Sequence, residues 1–233
     1  MRLKNKVALV TGGGRGIGKA ISLAYAREGA KIAICARMGA ELQETAKDIR
    51  KLGGKCLETV CDVSQEESVA SIVKELEKGF GAVDVLVNNA GVLTRPTPIA
   101  ELEIRKWDHT IAVNLRGSFL MTRAVLPLMT CLKGSSIINI SSMIGCGVYA
   151  NFSAYTASKW GIEGLTQTLA AELRSSGIRV NSVDPGYVAT KLTGCSGSRP
   201  ESVTDAFLYL AADESKGITG KMLSSAGWKS QIK

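Results

Sequence analysis

Residues 6–20 read Lys-Val-Ala-Leu-Val-Thr-Gly-Gly-Gly-Arg-Gly-Ile-Gly-Lys-Ala, an apolar run followed by closely spaced glycines. The run Lys6–Thr11 predicts a fully buried strand, and Ile17–Glu28 predicts the helix that follows it. Glycines in such a turn let the backbone approach a pyrophosphate, which then lies at the positive end of the helix. The stretch therefore predicts a dinucleotide-binding βα unit.

Two nucleotide-binding motifs overlap in this turn. Residues 13–19 match the start of a G-x-x-x-x-G-K phosphate loop, but Ala20 stands where that loop needs a hydroxyl for Mg²⁺. The alternative motif, G-x-x-x-G-x-G, is typical of dinucleotide-binding turns. We therefore favour a dinucleotide over a nucleoside triphosphate, and the turn residues expected to contact it are Gly12, Gly14, Arg15, Gly16, Ile17 and Gly18.

The alternation of strands and helices continues along the whole chain. Strands are predicted at Lys6–Thr11, Lys31–Ala36, Lys55–Val60, Asp84–Asn88, Ser136–Ser141, Ile178–Val183 and near Lys221–Ser224. Helices are predicted at Ile17–Glu28, Ala40–Leu52, Gln65–Gly79, about Glu101–Met129, Ser153–Ser175 and Glu201–Ala212. Apolar strands that are each followed by a helix are typical of a parallel sheet covered on both faces. Because no linker interrupts the pattern, we predict one α/β domain over residues 1–233, a doubly wound Rossmann fold with three layers.

Composition and charge narrow the class of protein. Of the 233 residues 45% are hydrophobic and 21% charged, values typical of a globular chain. The sequence holds no apolar run of about 18 residues and begins with no secretory signal, so we expect a cytoplasmic protein with no membrane partner.

The charge of +8 is dispersed, which argues against nucleic acid and fits an anionic small molecule or an acidic protein partner. Six scattered cysteines and one histidine lack metal-binding spacing, so we expect buried thiols and no metal.

The end of the second predicted strand bears on the choice of dinucleotide. A carboxylate there would bind the adenosine ribose and favour NAD, but this strand ends in Cys35-Ala36-Arg37. The guanidinium of Arg37 suits a 2′-phosphate, and Arg15 lies near the same end of the cofactor. We therefore predict that NADP(H) is preferred over NAD(H). Asp62, which follows the third strand, is placed to meet the adenine edge.

A second set of polar residues has the spacing of a catalytic site. Tyr155 and Lys159 lie four residues apart and therefore on one face of a predicted helix. A nearby ammonium favours the phenolate, which would help a phenol act in proton transfer. Ser142 follows the fifth strand and could donate its hydroxyl to a substrate oxygen. Asn114 is an unexpected polar residue within a long apolar helical stretch.

These motifs together resemble the short-chain dehydrogenase/reductase family. The resemblance is carried by Thr11–Gly18, Asn88-Asn89-Ala90-Gly91, Asn114, Ser142, Tyr155-Thr-Ala-Ser-Lys159 and Asp184-Pro185-Gly186, and it covers residues 5–227. It implies an NAD(P)-dependent oxidoreductase in which Tyr155 transfers the proton and Lys159 lowers its pKa and binds the nicotinamide ribose. Ser142, favoured over Ser141 by its spacing from Tyr155, would polarise the substrate oxygen, and Asn114 would hold a relay water. Further cofactor contacts are expected at Asp62, Val63, Asn88, Asn89, Ala90, Gly91, Tyr155, Lys159, Pro185, Gly186, Val188 and Thr190.

Within the family the sequence is most similar to the 3-oxoacyl-acyl-carrier-protein reductases. This implies reduction of a 3-oxoacyl thioester or similar ketone, with an acidic carrier protein as a possible partner and Lys133 and Arg174 as its contacts. Polyol, sugar and other secondary-alcohol dehydrogenases share these motifs, so oxidation of such an alcohol remains an alternative function. A second alternative is a cofactor-sensing binding protein with little turnover.

Two departures from the family pattern affect the lid and the assembly. Only ten residues separate Thr190 from Glu201, so the helical lid usual in the family is short here. The usual C-terminal Asp-Gly-Gly is replaced by Ser225-Ala226-Gly227. The resemblance still implies a homo-oligomer, at least a dimer and in the family usually a tetramer, built on the two long helices. Their apolar residues expected at the interface are Leu115, Phe119, Leu120, Trp160, Leu165 and Leu169.

Overall fold

A parallel β-sheet runs through the centre of this computed structural model, which describes residues 1–129, 134–143 and 147–232. Its strands are β1 Val7–Thr11, β2 Lys31–Ala36, β3 Cys56–Val60, β4 Val85–Asn88, β5 Ser136–Ile140, β6 Arg179–Asp184 and β7 Met222–Ser224. The strand order is β3-β2-β1-β4-β5-β6-β7, and every neighbouring pair is parallel. The predicted doubly wound sheet is confirmed.

Helices cover both faces of the sheet. They are α1 Gly16–Arg27, α2 Gly39–Lys51, α3 Glu66–Phe80, α4 Ile104–Ile111, α5 Gly117–Met129, α6 Ser153–Glu172, α7 Thr204–Ala211 and α8 Trp228–Gln231. One apolar core joins the sheet to α1, α2 and α7, and a second joins it to α3, α5 and α6. The two cores make the three predicted layers.

The order of the strands creates the position for a ligand. β1 pairs with β2 on one side and with β4 on the other, so the chain winds away from β1 in both directions. In sheets of this kind the crevice outside the carboxyl ends of the strands at this switch point receives the ligand. The glycine turn and the segment after β4 both emerge there.

The long predicted helix over residues 101–129 is not continuous. It is divided into α4 and α5 by a π-helical segment, Ala112–Arg116, and Asn114 lies in its middle. A π-helical turn carries an extra residue and changes which side chains face the sheet, and such turns are frequent at functional sites. The division therefore explains how a polar side chain is accommodated in an apolar stretch.

The cysteines are not all buried, contrary to the expectation from the sequence. Cys35 and Cys61 are buried, but Cys56 is half-buried and Cys195 is exposed, while Cys131 and Cys146 lie outside the described residues. None of the helices in the described ranges combines the length and apolar character that a membrane crossing requires.

Candidate active site

A cleft of about 560 Å³ opens along the carboxyl ends of the strands. Its walls are the glycine turn, the segments that follow β2, β3, β4 and β5, the start of α6 and the segment after β6. Of the residues predicted from the sequence, those that line it are Gly12, Gly14, Arg15, Gly16, Ile17, Arg37, Asp62, Val63, Asn89, Ala90, Gly91, Ser142, Tyr155, Lys159, Pro185, Gly186, Val188 and Thr190. Gly18, Asn88 and Asn114 do not line it, and each contributes to its shape from behind.

The glycine turn has the backbone that its sequence requires. Gly12 and Gly16 have φ of +65° and +53°, a region that favours glycine. A side chain at Gly18 would collide with the carbonyl oxygen of Gly12, so this glycine allows α1 to pack closely on the turn. The side-chain amide of Asn89 donates to the carbonyl oxygens of Thr11 at 2.7 Å and Gly12 at 3.2 Å. The turn is therefore fixed from the β4 side.

The start of α1 fits an anionic group. No side chain caps the first turn of this 12-residue helix, and that turn holds no acidic residue. Its backbone N–H groups can thus donate hydrogen bonds to an anion, and the helix dipole favours negative charge there. The pyrophosphate of a dinucleotide suits this end of the cleft.

Basic and acidic groups meet at the end of the cleft beside β2. Arg37 is exposed there, and its charge helps to stabilise the Asp62 carboxylate. Burial raises the pKa of Asp62, but hydrogen bonds from the Ser64 hydroxyl (2.7 Å) and backbone amide (3.0 Å), with the charge of Arg37, bring it below its ordinary value. Asp62 is therefore an acceptor-only group at the expected adenine edge.

Arg15 is held by an acidic residue that sequence reasoning missed. Its guanidinium pairs with the Glu41 carboxylate at 2.9 Å, and Lys191 pairs with the same oxygen at 2.9 Å. Glu41 and Lys191 both line the cleft, and they join α2 to the segment after β6 across the glycine turn. Their separation by 150 residues left no local signal in the sequence.

At the other end of the cleft, the Ser142 and Tyr155 side chains are hydrogen-bonded. Burial raises the pKa of Tyr155 to about 12, the Ser142 hydrogen bond lowers it, and the charge of Asp184 adds to the rise. Burial therefore decides the net direction of the shift, and a lowering of this pKa by Lys159 stays a prediction. Tyr155 is consequently a phenol, a proton donor, throughout the neutral pH range.

Lys159 lies beside Tyr155, as its spacing predicts. Its ammonium is 5.6 Å from the centre of the Tyr155 ring and donates to the carbonyl oxygen of Ile140 at 2.7 Å. Burial lowers the pKa of Lys159 to about 8, whereas the charges of Glu163 and Asp184 act to raise it. The site thus brings a phenol, a hydroxyl and a titratable ammonium together.

Asn114 supports the site from behind the cleft wall. Its amide oxygen accepts from the backbone N–H of Val92 at 2.8 Å, and its amide nitrogen donates to the Val92 carbonyl at 3.0 Å and to the Ser158 hydroxyl at 3.1 Å. It therefore connects the π-helical segment to the segment after β4 and to α6. The side chain's contacts are structural ones, and the predicted relay water stays a prediction.

Large apolar or aromatic side chains also line the cleft, namely Leu93, Phe152, Tyr187 and Leu192. The short segment after Thr190 folds as a single 3₁₀ turn, Lys191–Thr193, held by a reciprocal cap between Thr190 and Thr193. A compact turn thus takes the place of the longer helical lid that is usual in the family, as the short segment in the sequence predicts.

The two predicted contacts for a carrier protein are not supported. Lys133 lies outside the described residues. Arg174 follows the far end of α6, about 28 Å along the helix from Tyr155 at 1.5 Å per residue. The prediction that Arg174 lies at the rim of the site is therefore wrong, because α6 runs away from the cleft.

Fold and site together define an oxidoreductase of the dinucleotide-binding Rossmann class. The family model for short chain dehydrogenases matches residues 6–200. The chain is 37% identical to the 3-oxoacyl-(acyl-carrier-protein) reductase FabG of Thermotoga maritima, over 97% of this chain and 98% of that one. It is also 37% identical to the (3R)-3-hydroxyacyl-CoA dehydrogenase of Mus musculus, over 97% of each.

Solved structures agree with these relatives. A short-chain type dehydrogenase/reductase from Mycobacterium marinum superimposes with a TM-score of 0.91 at 34% identity, covering 97% of this chain and 96% of that one. The protein therefore belongs to the short-chain dehydrogenase/reductase family, close to its 3-oxoacyl reductase branch. Members of this family use a nicotinamide cofactor to interconvert carbonyl and alcohol groups.

Proposed function

We propose that this protein is an NADPH-dependent reductase of an apolar ketone, such as a 3-oxoacyl thioester. The observation that carries the proposal is the pairing of Ser142 with Tyr155 beside the buried Lys159, at one end of a cleft whose other end presents Arg37. A neutral phenol with a pKa of about 12 can donate a proton to the substrate oxygen, as reduction requires.

Each residue has a defined part in the reaction. When bound, the nicotinamide supplies the hydride. Ser142 and Tyr155 donate hydrogen bonds to the substrate oxygen, where negative charge develops, and Tyr155 delivers its proton to that oxygen. Lys159 stabilises the resulting phenolate by its charge and binds the nicotinamide ribose. Asn114 fixes the spacing of α6 and the segment after β4, and it holds the water through which the proton is replaced.

The cofactor preference rests on charge at the ribose end of the cleft. Arg37 follows β2 at the position where a carboxylate would favour NAD, and it forms no ion pair with a described residue. A planar guanidinium with free donors suits a 2′-phosphate. Arg15 can bind the same phosphate if it releases the Glu41 carboxylate, its present ion-pair partner.

The large apolar side chains that line the cleft favour a ketone over a polyol. Leu93, Phe152, Tyr187 and Leu192 offer few hydrogen-bond partners to the hydroxyl groups of a sugar, which would be left unpaired at a cost of about 1–3 kcal/mol each. An acyl chain would instead bury apolar surface against them. Relatives that act on 3-oxoacyl and 3-hydroxyacyl groups agree with this choice.

Tyr155→Phe tests the proposal. Loss of the proton donor should lower the rate of NADPH oxidation with an acetoacetyl thioester by at least about a hundredfold, measured by absorbance in stopped flow. Tyr209→Phe, which changes a phenol outside the cleft, is the control and should keep the rate. Near wild-type turnover by Tyr155→Phe would overturn the mechanism. NADPH binding without turnover across a panel of thioesters, diketones, sugars and quinones would instead indicate a cofactor-sensing protein.

A further inference from the structure

Glu163 is a buried carboxyl group one helical turn beyond Lys159. Tyr155, Lys159 and Glu163 are spaced by four residues and share one face of α6. Glu163 is only 8% exposed, whereas glutamates are almost never fully buried without a partner. The placement of this carboxyl group calls for a functional explanation.

The carboxylate has only part of the pairing that burial demands. The Ser182 hydroxyl, on β6, donates to Oε2 at 2.9 Å, but Oε1 has no hydrogen-bond partner among the described residues. Within that part of the chain Glu163 forms no ion pair either, since the Lys159 ammonium is directed at the Ile140 carbonyl. Lys159 and Glu163 are therefore opposite charges that share a buried helix face without touching.

A row of polar side chains beneath α6 fixes this arrangement. Asn88, Asn139 and Ser182 are register neighbours on β4, β5 and β6. The Asn88 amide donates to Asn139 at 2.9 Å, and Asn139 donates to the Thr166 hydroxyl on α6 at 2.9 Å. This row therefore contacts α6 through two hydrogen bonds, Asn139–Thr166 and Ser182–Glu163. These bonds hold the Glu163 carboxylate in place relative to Lys159 on the same helix.

The charged and titratable groups that face Lys159 can be named element by element. Tyr155 and Glu163 belong to α6, Asp184 ends β6, and β5 contributes the neutral carbonyl of Ile140. Asp184 is 3% exposed and accepts a hydrogen bond from the backbone N–H of Gly186 at 2.9 Å. Of the two carboxylates, Glu163 is the one with a fully buried oxygen that has no hydrogen-bond partner among the described residues.

We propose that Glu163 is a positioning residue that keeps Lys159 protonated at neutral pH, so that the ammonium is charged when Tyr155 gives up its proton. The proposal rests on the proposed function and adds a member to the Tyr155–Lys159 pair. In the dry interior an ammonium without a nearby negative charge would lose its proton. Reduction should be lost as pH rises through the pKa of Lys159, and neutralising Glu163 should bring that loss to lower pH.

Glu163→Gln tests this directly, because it removes the charge and keeps the shape. The titration of Lys159 is followed by NMR of ¹³C-lysine-labelled protein, with Lys159→Arg assigning the signal. The wild-type midpoint is expected at about 8, and Glu163→Gln should lower it by about one unit or more. The alkaline limb of the pH–kcat profile should move by the same amount.

Glu172→Gln is the matched control, because the same exchange is made at an exposed position on the same helix. Its midpoint should equal that of the wild type. If Glu163→Gln does not fold, Glu163→Met removes the charge at similar volume and should shift the midpoint in the same direction. An unchanged midpoint in a folded Glu163 variant overturns the proposal. Since the NMR titration needs no substrate, a shifted midpoint without ketone reduction would refute only the proposed function.

Discussion

Arg37 is the single residue on which the proposed choice of cofactor rests. It replaces the carboxylate that would bind ribose hydroxyls, and its guanidinium is exposed in the cleft. Arg37→Asp should weaken NADPH binding and improve NADH binding, because it removes a phosphate partner and supplies a ribose acceptor. A charge-assisted contact of about 1.5–3 kcal/mol corresponds to about ten- to hundredfold in affinity. Fluorescence titration with both cofactors measures the change.

The control for this exchange is Arg174→Asp, which makes the same change of charge beyond the far end of α6. It should leave both affinities within about twofold, since a charge at that distance is screened by salt. Equal affinities of the wild-type protein for NADPH and NADH would contradict the assignment of Arg37.

At the scale of elements, Asn114 joins three segments through one side chain. Asn114→Ala leaves the Val92 amide and carbonyl groups without partners in a largely buried place. The free energy of unfolding should fall by about 1–3 kcal/mol in urea denaturation. Gln167→Ala, at an exposed position of α6, should change it by less than about 0.5 kcal/mol. A similar small change for Asn114→Ala would show that these bonds contribute little.

The elements also show what the sequence could and could not predict. Strands such as Lys31–Ala36 were predictable to the residue, because a short continuous apolar run is typical of a strand that is buried on both faces of a parallel sheet. The π-helical segment was not predictable, because local propensity does not distinguish one extra residue per turn within an apolar stretch.

Within the site, local motifs were predictable and distant pairings were not. The glycine turn and the four-residue spacing of Tyr155 and Lys159 depend on one element each. Glu41–Lys191 and Glu163–Ser182 depend on the packing of separate elements, and so does the burial that raises the pKa of Tyr155.

For the whole molecule, the outer face of the two long helices suggests how copies associate. Phe119 and Trp160 are 46% and 50% exposed on α5 and α6. Leu120, also predicted for the interface, is instead buried in the protein's own core, so α5 turns this side chain towards the sheet. Light scattering should therefore give at least twice the chain mass of 24.6 kDa, since symmetric pairing is the commonest way to cover such a face.

A double variant, Phe119→Glu with Trp160→Glu, should reduce this mass to that of one chain. Leu52→Glu places the same charge on another exposed apolar residue, at the end of α2, and should leave the assembly intact. A wild-type mass of one chain would show that this face is not an interface.

The central place of β1 has a consequence for how the protein is made. Among the seven strands of the sheet this one is synthesised first, but one of its two neighbours, β4, is synthesised only after β2 and β3. At about 5–20 residues per second, the 74 residues from Thr11 to Val85 take on the order of 4–15 s. Throughout that interval one edge of a strand that is fully buried in the folded protein has no partner, and such edges recruit other chains. The yield of native protein in a cell therefore depends on how well the nascent chain is shielded while residues 31–88 emerge.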